Sequence, residues 1–231
     1  MQSDAPGARG TVSSCFFDPH QRATIAAAMA RIIPTDDTPG AAEAGAIEFL
    51  DRYLSGTGFI HARPDGSGFA TLTGRSAAAW RTRIDIMRHT YAEGVRELDG
   101  RSRHAFGADF AALAPDQQDR VLQATEAGEA WPGAAPAAAP GSTAASGPAL
   151  QQTSTEVDLA FFPLLVVHTR QGFLADPIYG GNRDRVGWAV IGFPGPASLA
   201  EVHDGSYSAL AWFADGHTDP DPDRRSPHHG A

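Results

Sequence analysis

Cysteine is nearly absent. Cys15 is the only one in 231 residues, which excludes an internal disulfide, a CxxC redox pair, a thiolate zinc cluster and a CxxCH haem attachment. Basic charge is also in short supply: acidic residues outnumber basic ones 27 to 18, for a net charge of −9, and the arginines are scattered instead of forming a stripe. Nucleic acid is therefore not an expected partner. Long apolar runs are missing as well. The longest, LAFFPLLVV at 159–167, is too short to cross a bilayer, so no direct membrane insertion is expected. The opening MQSDAPGARGTVSSCFF has neither an apolar h-region nor a twin arginine, so the chain reads as soluble, and export would rest on a removed leader or on a partner that carries one. No nucleophile elbow, HExxH, phosphate loop or dinucleotide fingerprint occurs.

What is present is helical periodicity. Once the biased segments are set aside, roughly 170 residues remain to build a core, enough for one domain. Asp18 and Pro19 supply an N-cap and first helical position for a helix over 19–33, with Ile25, Ala28, Met29, Ile32 and Ile33 on its apolar side and Pro34 ending it. PTDDTPGA is a turn-rich corner in which Asp36 or Asp37 bonds its own backbone. A second helix is expected from Ala41 to about Ser55, with the stripe Ala42, Gly45, Ala46, Phe49, Tyr53 and Leu54 small enough at one end for another helix to approach closely. The glycine-rich 55–74 stretch reads as a loop with a short irregular hairpin. Residues 75–98 carry Trp80, Ile84, Met87, Tyr91, Val95 and Leu98 at intervals of three and four, the strongest helical period in the chain. Phe106, Phe110 and Leu113 follow as candidate core, and Pro115 or Asp116 starts another helix.

The remaining segments differ in kind. Residues 128–153 are almost entirely Ala, Pro, Gly, Ser and Thr, with too little to bury to offset their ordering, and read as a low-complexity insert. STEVDLAFFPLLVVHTRQGFL is apolar nearly all round, as a central core helix would be, with Pro163 marking either a kink or its true first turn. The fold class expected is thus mainly α: a single compact helical domain over 16–213 with irregular loops and little or no sheet. A flexible arm over 1–15 and a disordered polar tail over 214–231 flank it.

Two kinds of chemistry can be drawn from these residues. His168, Asp176, Tyr179 and Asn182 could form a catalytic or metal-binding cluster after a buried helix, which is the stand-alone enzyme reading. Against it, a lone histidine near a helix end more often satisfies the last carbonyls. DGHTDPDPD at 215–223 alternates acids like a calcium loop but has no glycine at the sharp turn and no closing glutamate. YGGNRDRVGW supports a second reading, in which tight, specified backbone displays Phe173, Tyr179, Trp188 and Phe193 as aromatic anchors for a partner.

RIIPTDDTPGAAEAGAIEFLDRYL at 31–54 and GFLADPIYGGNRDRVGWAVIGFPGP at 172–196, in this order and separated by amphipathic helices, resemble the two signature blocks of the gluconate 2-dehydrogenase subunit 3 family. The resemblance covers the first 125 residues and those from about 154 to 196. It implies the small, or gamma, subunit of a sugar or sugar-acid dehydrogenase complex, chaperone-like and not catalytic by itself. Its partner would be a large FAD-dependent oxidoreductase subunit of the glucose-methanol-choline type, joined in some complexes by a cytochrome c subunit. FAD is then expected in the partner and no cofactor in this chain. The positions that match are Pro34, Thr35, Asp36, Pro39, Gly40 and Ala41 in the first block. In the second they are Asp176, Pro177, Tyr179, Gly180, Gly181, Asn182, Gly187, Trp188, Gly192, Phe193, Pro194 and Gly195. They are expected to shape the fold and contact the large subunit, and none to be catalytic or to bind metal. A periplasmic or membrane-associated complex is implied too, although no signal peptide is written in this chain and cytoplasmic residence stays open. The insert and the tail fall outside the pattern.

Overall fold

The computed structural model describes residues 16–131 and 155–208. The expected arm, nearly all of the insert and the polar tail with its acidic alternation lie outside them. Among the described residues seven α-helices follow in order: α1 Pro19–Ile32, α2 Ala46–Ser55, α3 Gly74–Phe106, α4 Pro115–Glu126, α5 Phe161–Leu174, α6 Val186–Val190 and α7 Leu199–Asp204. Short 3-10 turns punctuate the connections. Among the described residues the β structure amounts to one isolated bridge, Ala62 to Phe69, which is the irregular hairpin expected within 55–74.

The helix ends follow from local chemistry. At α1 the Asp18 carboxylate accepts from the Gln21 amide at 2.8 Å while the Gln21 side chain accepts from the Asp18 N–H at 3.2 Å, a reciprocal capping box ahead of Pro19. Pro163 sits in the first turn of α5, where its missing N–H costs nothing, so it starts the helix and does not kink it. α2 begins at Ala46 and not at Ala41 as expected. The Ala41–Gly45 stretch makes a single separate turn, closed by Ala46 N–H to Ala41 O at 3.0 Å and Gly45 N–H to Ala42 O at 3.1 Å. Gly45 in the left-handed region, φ 66°, permits that closure. The far end of α2 is finished from another helix: Arg88 of α3 donates to the carbonyls of Leu54 (2.8 Å) and Ser55 (3.0 Å).

α3 runs eight residues past the expected end, to Phe106. Apolar periodicity fails there because the buried positions Asp99, Arg101 and Ser102 are polar. Asp99 Oδ1 accepts from the Phe110 amide at 3.1 Å and Oδ2 from His20 Nε2 at 2.6 Å, while Arg101 pairs with Glu97 and donates to Glu129 O at 2.6 Å. These partners, distant in sequence, stabilise a turn that local pattern does not mark. Glu129 and Trp131, assigned from composition to the low-complexity insert, are thus held against α3, with the Trp131 ring where a Gly100 Cβ would be. Phe106, expected in the core, is half-buried, whereas Phe110 is fully buried.

The core runs from Phe17 to Leu165, with α5 at its centre in contact with α1, α2, α3 and α4. That placement accounts for a helix apolar on nearly every side. α5 comes within backbone distance of α2, since a Cβ on Gly172 would lie 2.8 Å from Ala46 O, and Gly94 of α3 leaves room for the Phe161 ring. At the entrance to α1, buried Asp51 of α2 accepts from the amides of Phe16 (2.7 Å) and Phe17 (3.0 Å) and from Arg22 (2.8 Å).

The His20 to Asp99 contact predicts a pH dependence. The hydrogen bond to Asp99 raises the imidazole pKa above its ordinary value, against the opposing effect of burial. A raised folded-state pKa means the contribution is fully present below about pH 6.5 and is lost as pH rises through the folded value. Urea unfolding should therefore show a larger stability gap between the native chain and His20→Ala at about pH 5.5 than at about pH 8.5. An equal gap at both would show that the imidazolium adds nothing.

Candidate partner-binding site

The first signature block forms a corner pinched at its neck. Ala41 N–H donates to Ile33 O at 2.8 Å, and buried Gly40 sits against the returning chain, where a Cβ would meet Ile33 O at 2.5 Å. Inside the corner Asp36, and not Asp37, makes the turn, its Oδ1 accepting from the Thr38 amide (2.8 Å) and hydroxyl (2.9 Å). Glu43 accepts from the Thr35 hydroxyl at 2.6 Å and the Gly40 amide at 2.9 Å. These donors hold both carboxyls below their ordinary pKa, Asp36 through Thr38 and Glu43 chiefly through Thr35. Pro34, Thr35, Asp36 and Pro39 are exposed.

The second block is built on backbone contact. A Cβ on Gly181 would lie 2.1 Å from Gly172 O, and one on Gly187 would lie 1.9 Å from Phe173 O. The two glycines let the returning loop and α6 rest directly on the end of α5. Asn182, completely buried, locks the arrangement: its amide nitrogen donates to Ala175 O (3.0 Å), its Oδ1 accepts from Gly187 N–H (2.8 Å) and its own N–H donates to Gly172 O (2.8 Å). Asn182, Asp184 and Arg185 all have left-handed backbone, φ 46°, 54° and 59°. For Asp184 and Arg185 this conformation costs of order 1 to 2 kcal/mol each, and only a surrounding network holds it. Asp176 caps the turn Pro177–Tyr179 by accepting from the Ile178 amide at 2.9 Å.

Trp188 is turned inward. It is 6 % exposed, its indole N–H donates to Leu174 O at 2.7 Å, Phe193 packs edge-on at 5.4 Å, and Gly195 lies so close that a Cβ there would meet the ring at 2.2 Å. Phe173 is buried, Tyr179 and Phe193 are half-buried, and Gly192 and Pro194 are exposed. The surface around this block is instead made apolar by Leu174 (37 % exposed), Val190 (40 %) and Ile191 (55 %).

The two blocks meet. Arg183 N–H donates to Ala44 O at 2.9 Å, the Arg183 guanidinium reaches Glu48 at 3.8 Å, and Gly180 rests on the Arg52 side chain. Beside this junction a cleft of about 570 Å³ opens between α2, α5 and residues 175–179. Its walls are mostly aromatic and aliphatic, including Phe49, Tyr53, Phe59 and Tyr179, and its polar members are Glu156, Arg170, Gln171 and Asp176. Of these only Asp176 and Tyr179 belong to the matched family positions, while Phe49 and Tyr53 are visible in the sequence only as part of the α2 stripe. No local pattern marks the pairing of Tyr53 with Glu156, 103 positions away and hydrogen-bonded at 3.1 Å.

The catalytic cluster is not assembled. His168 is fully buried, stacked on Tyr91 and edge-on to Tyr53. The Tyr91 hydroxyl and His168 Nδ1 are 2.8 Å apart; with the hydroxyl donating, only Nε2 is left without a partner, so this is the arrangement with fewest unmet groups. Burial lowers the imidazole pKa to about 4, partly offset by Glu156, so His168 is neutral near pH 7. It makes no hydrogen bond with Asp176, whose bond is to Ile178. Among the described residues no three His, Cys, Asp or Glu side chains are grouped to hold a metal, and no helix is long and apolar enough to cross a membrane.

Compared with known families, residues 19–195 match the one described as Gluconate 2-dehydrogenase subunit 3. No curated protein and no solved structure matches the chain.

Proposed function

The chain belongs to the gluconate 2-dehydrogenase subunit 3 family, and from that premise we propose that it is the non-catalytic small subunit of a sugar or polyol dehydrogenase complex. In this role it binds and stabilises an FAD-containing catalytic subunit of the glucose-methanol-choline type and helps it mature, with a cytochrome c subunit carrying electrons onward where one is present. The observation that carries the reading is the extent of the match, which spans both signature blocks and the helices between them. The geometry supports it in two ways. The two blocks touch through Arg183 and Ala44, next to the left-handed backbone at 182–185, and Leu174, Val190 and Ile191 of the second block are exposed. Exposed apolar residues of this kind are what a protein interface uses. The flavin belongs to the partner in this reading: in the cleft of this chain Glu156 and Asp176 would oppose a pyrophosphate.

The test is co-expression of the tagged chain with a glucose-methanol-choline flavoprotein encoded beside it, recording flavin absorbance and dye-linked sugar oxidation across a size-exclusion profile. The expected result is a co-eluting yellow, active complex that loses flavin or activity when this chain is left out. A flavoprotein fully loaded and active alone, with this chain eluting separately, would refute the role.

A further inference from the structure

The cleft beside the second block contains a carboxylate positioned from two sides. Glu156 Oε2 accepts from the Tyr53 hydroxyl at 3.1 Å and Oε1 from the Gln171 amide at 2.8 Å. Both donors are neutral, so they orient the carboxylate without cancelling its charge. Among the described residues no ion pair joins Glu156 to a basic side chain: Arg83, whose charge is felt at Tyr53, lies over the Trp80 ring at 4.7 Å, and Arg170 on the cleft wall is exposed. Asp176 adds a second carboxylate to the lining of the cleft. Aromatic rings line the same cleft, with Phe49 and Tyr53 stacked at 5.8 Å.

The combination selects for one chemistry. The lining carries two carboxylates against one guanidinium, that of exposed Arg170, so the balance opposes an anion, and a purely apolar occupant would strip water from Glu156 without replacing it. A guanidinium or ammonium group on an aliphatic stem satisfies both features, its stem lying on the rings and its charge against the fixed carboxylate. The volume exceeds one side chain and suits a side chain with its neighbours. We infer that this cleft receives a cationic side chain, with its flanking residues, from an exposed segment of the catalytic subunit. The inference rests on the accessory role proposed above.

The test measures the dissociation constant between the purified catalytic subunit and this chain, native and as Glu156→Gln. The glutamine amide can still accept from Gln171 and donate to the Tyr53 oxygen, so the thermal transition should be retained. Binding should weaken roughly thirtyfold or more, as expected when one partner of a desolvated charge pair is removed. Tyr53→Phe keeps the ring and releases one side of the carboxylate, so it should weaken binding less, and it carries the test if Glu156→Gln proves unstable. A native complex whose affinity changes by less than about threefold in these variants overturns the inference and leaves the accessory role standing. Absence of any complex with the native chain overturns the accessory role and the inference with it.

Discussion

Gly187→Ala should lower the melting temperature by roughly 6 to 12 °C, the shift that about 3 kcal/mol produces in a protein of this size. The reason is the identity of the atom in the way. The added methyl carbon would lie 1.9 Å from Phe173 O, a backbone atom of α5 that cannot rotate aside. Relief requires α6 to lift off α5, which lengthens the 2.8 Å bond from Gly187 N–H to Asn182 and with it the anchor of the strained 182–185 backbone. Gly58→Ala is the control, since nothing lies within 4 Å of its Cβ position; it should change stability by no more than about 0.5 kcal/mol. Thermal unfolding by circular dichroism decides the matter. A Gly187→Ala protein that melts with the native chain would mean that α6 does not pack on α5 at this distance.

The contrast between these two glycines shows what sequence alone can and cannot convey. Helices α1, α3 and α4 are visible in it because their caps and apolar spacing are local. The last turns of α3 are not, since Asp99 is stabilised there by His20, 79 positions earlier, and by the Phe110 amide. The start of α2 is hidden for another reason: alanine-rich sequence is compatible with one continuous helix, and only the left-handed Gly45 splits it. In the second block, adjacent glycines signal that something approaches closely, but not that it is the carbonyl oxygens of Gly172 and Phe173. The cleft is the least visible feature. Tyr53, Glu156 and Gln171 come from three separate elements, and Glu156 lies three positions after a segment whose composition suggests no structure at all.

Trp188→Ala should cost about 3 to 5 kcal/mol, the range for truncating a buried aromatic. Three separate losses add to it. The indole leaves a cavity beneath Phe193 and Gly195, Leu174 O loses its 2.7 Å donor, and the Arg185 guanidinium, 5.7 Å from the ring, loses a face that helps hold its left-handed backbone. Trp188→Phe separates the first loss from the second, because it refills much of the volume without restoring the donor, and it should recover at least half of the stability. The same pair of variants distinguishes a core role from a partner-facing one at this motif position. With the ring inward, Trp188→Ala should lose the thermal transition and partner binding together, and Trp188→Phe should regain both together. Were the indole instead an anchor for the catalytic subunit, Trp188→Ala would melt with the native chain and fail only to co-elute. The apolar contact with the partner would then pass through Trp188 itself, and not through the exposed residues Leu174, Val190 and Ile191.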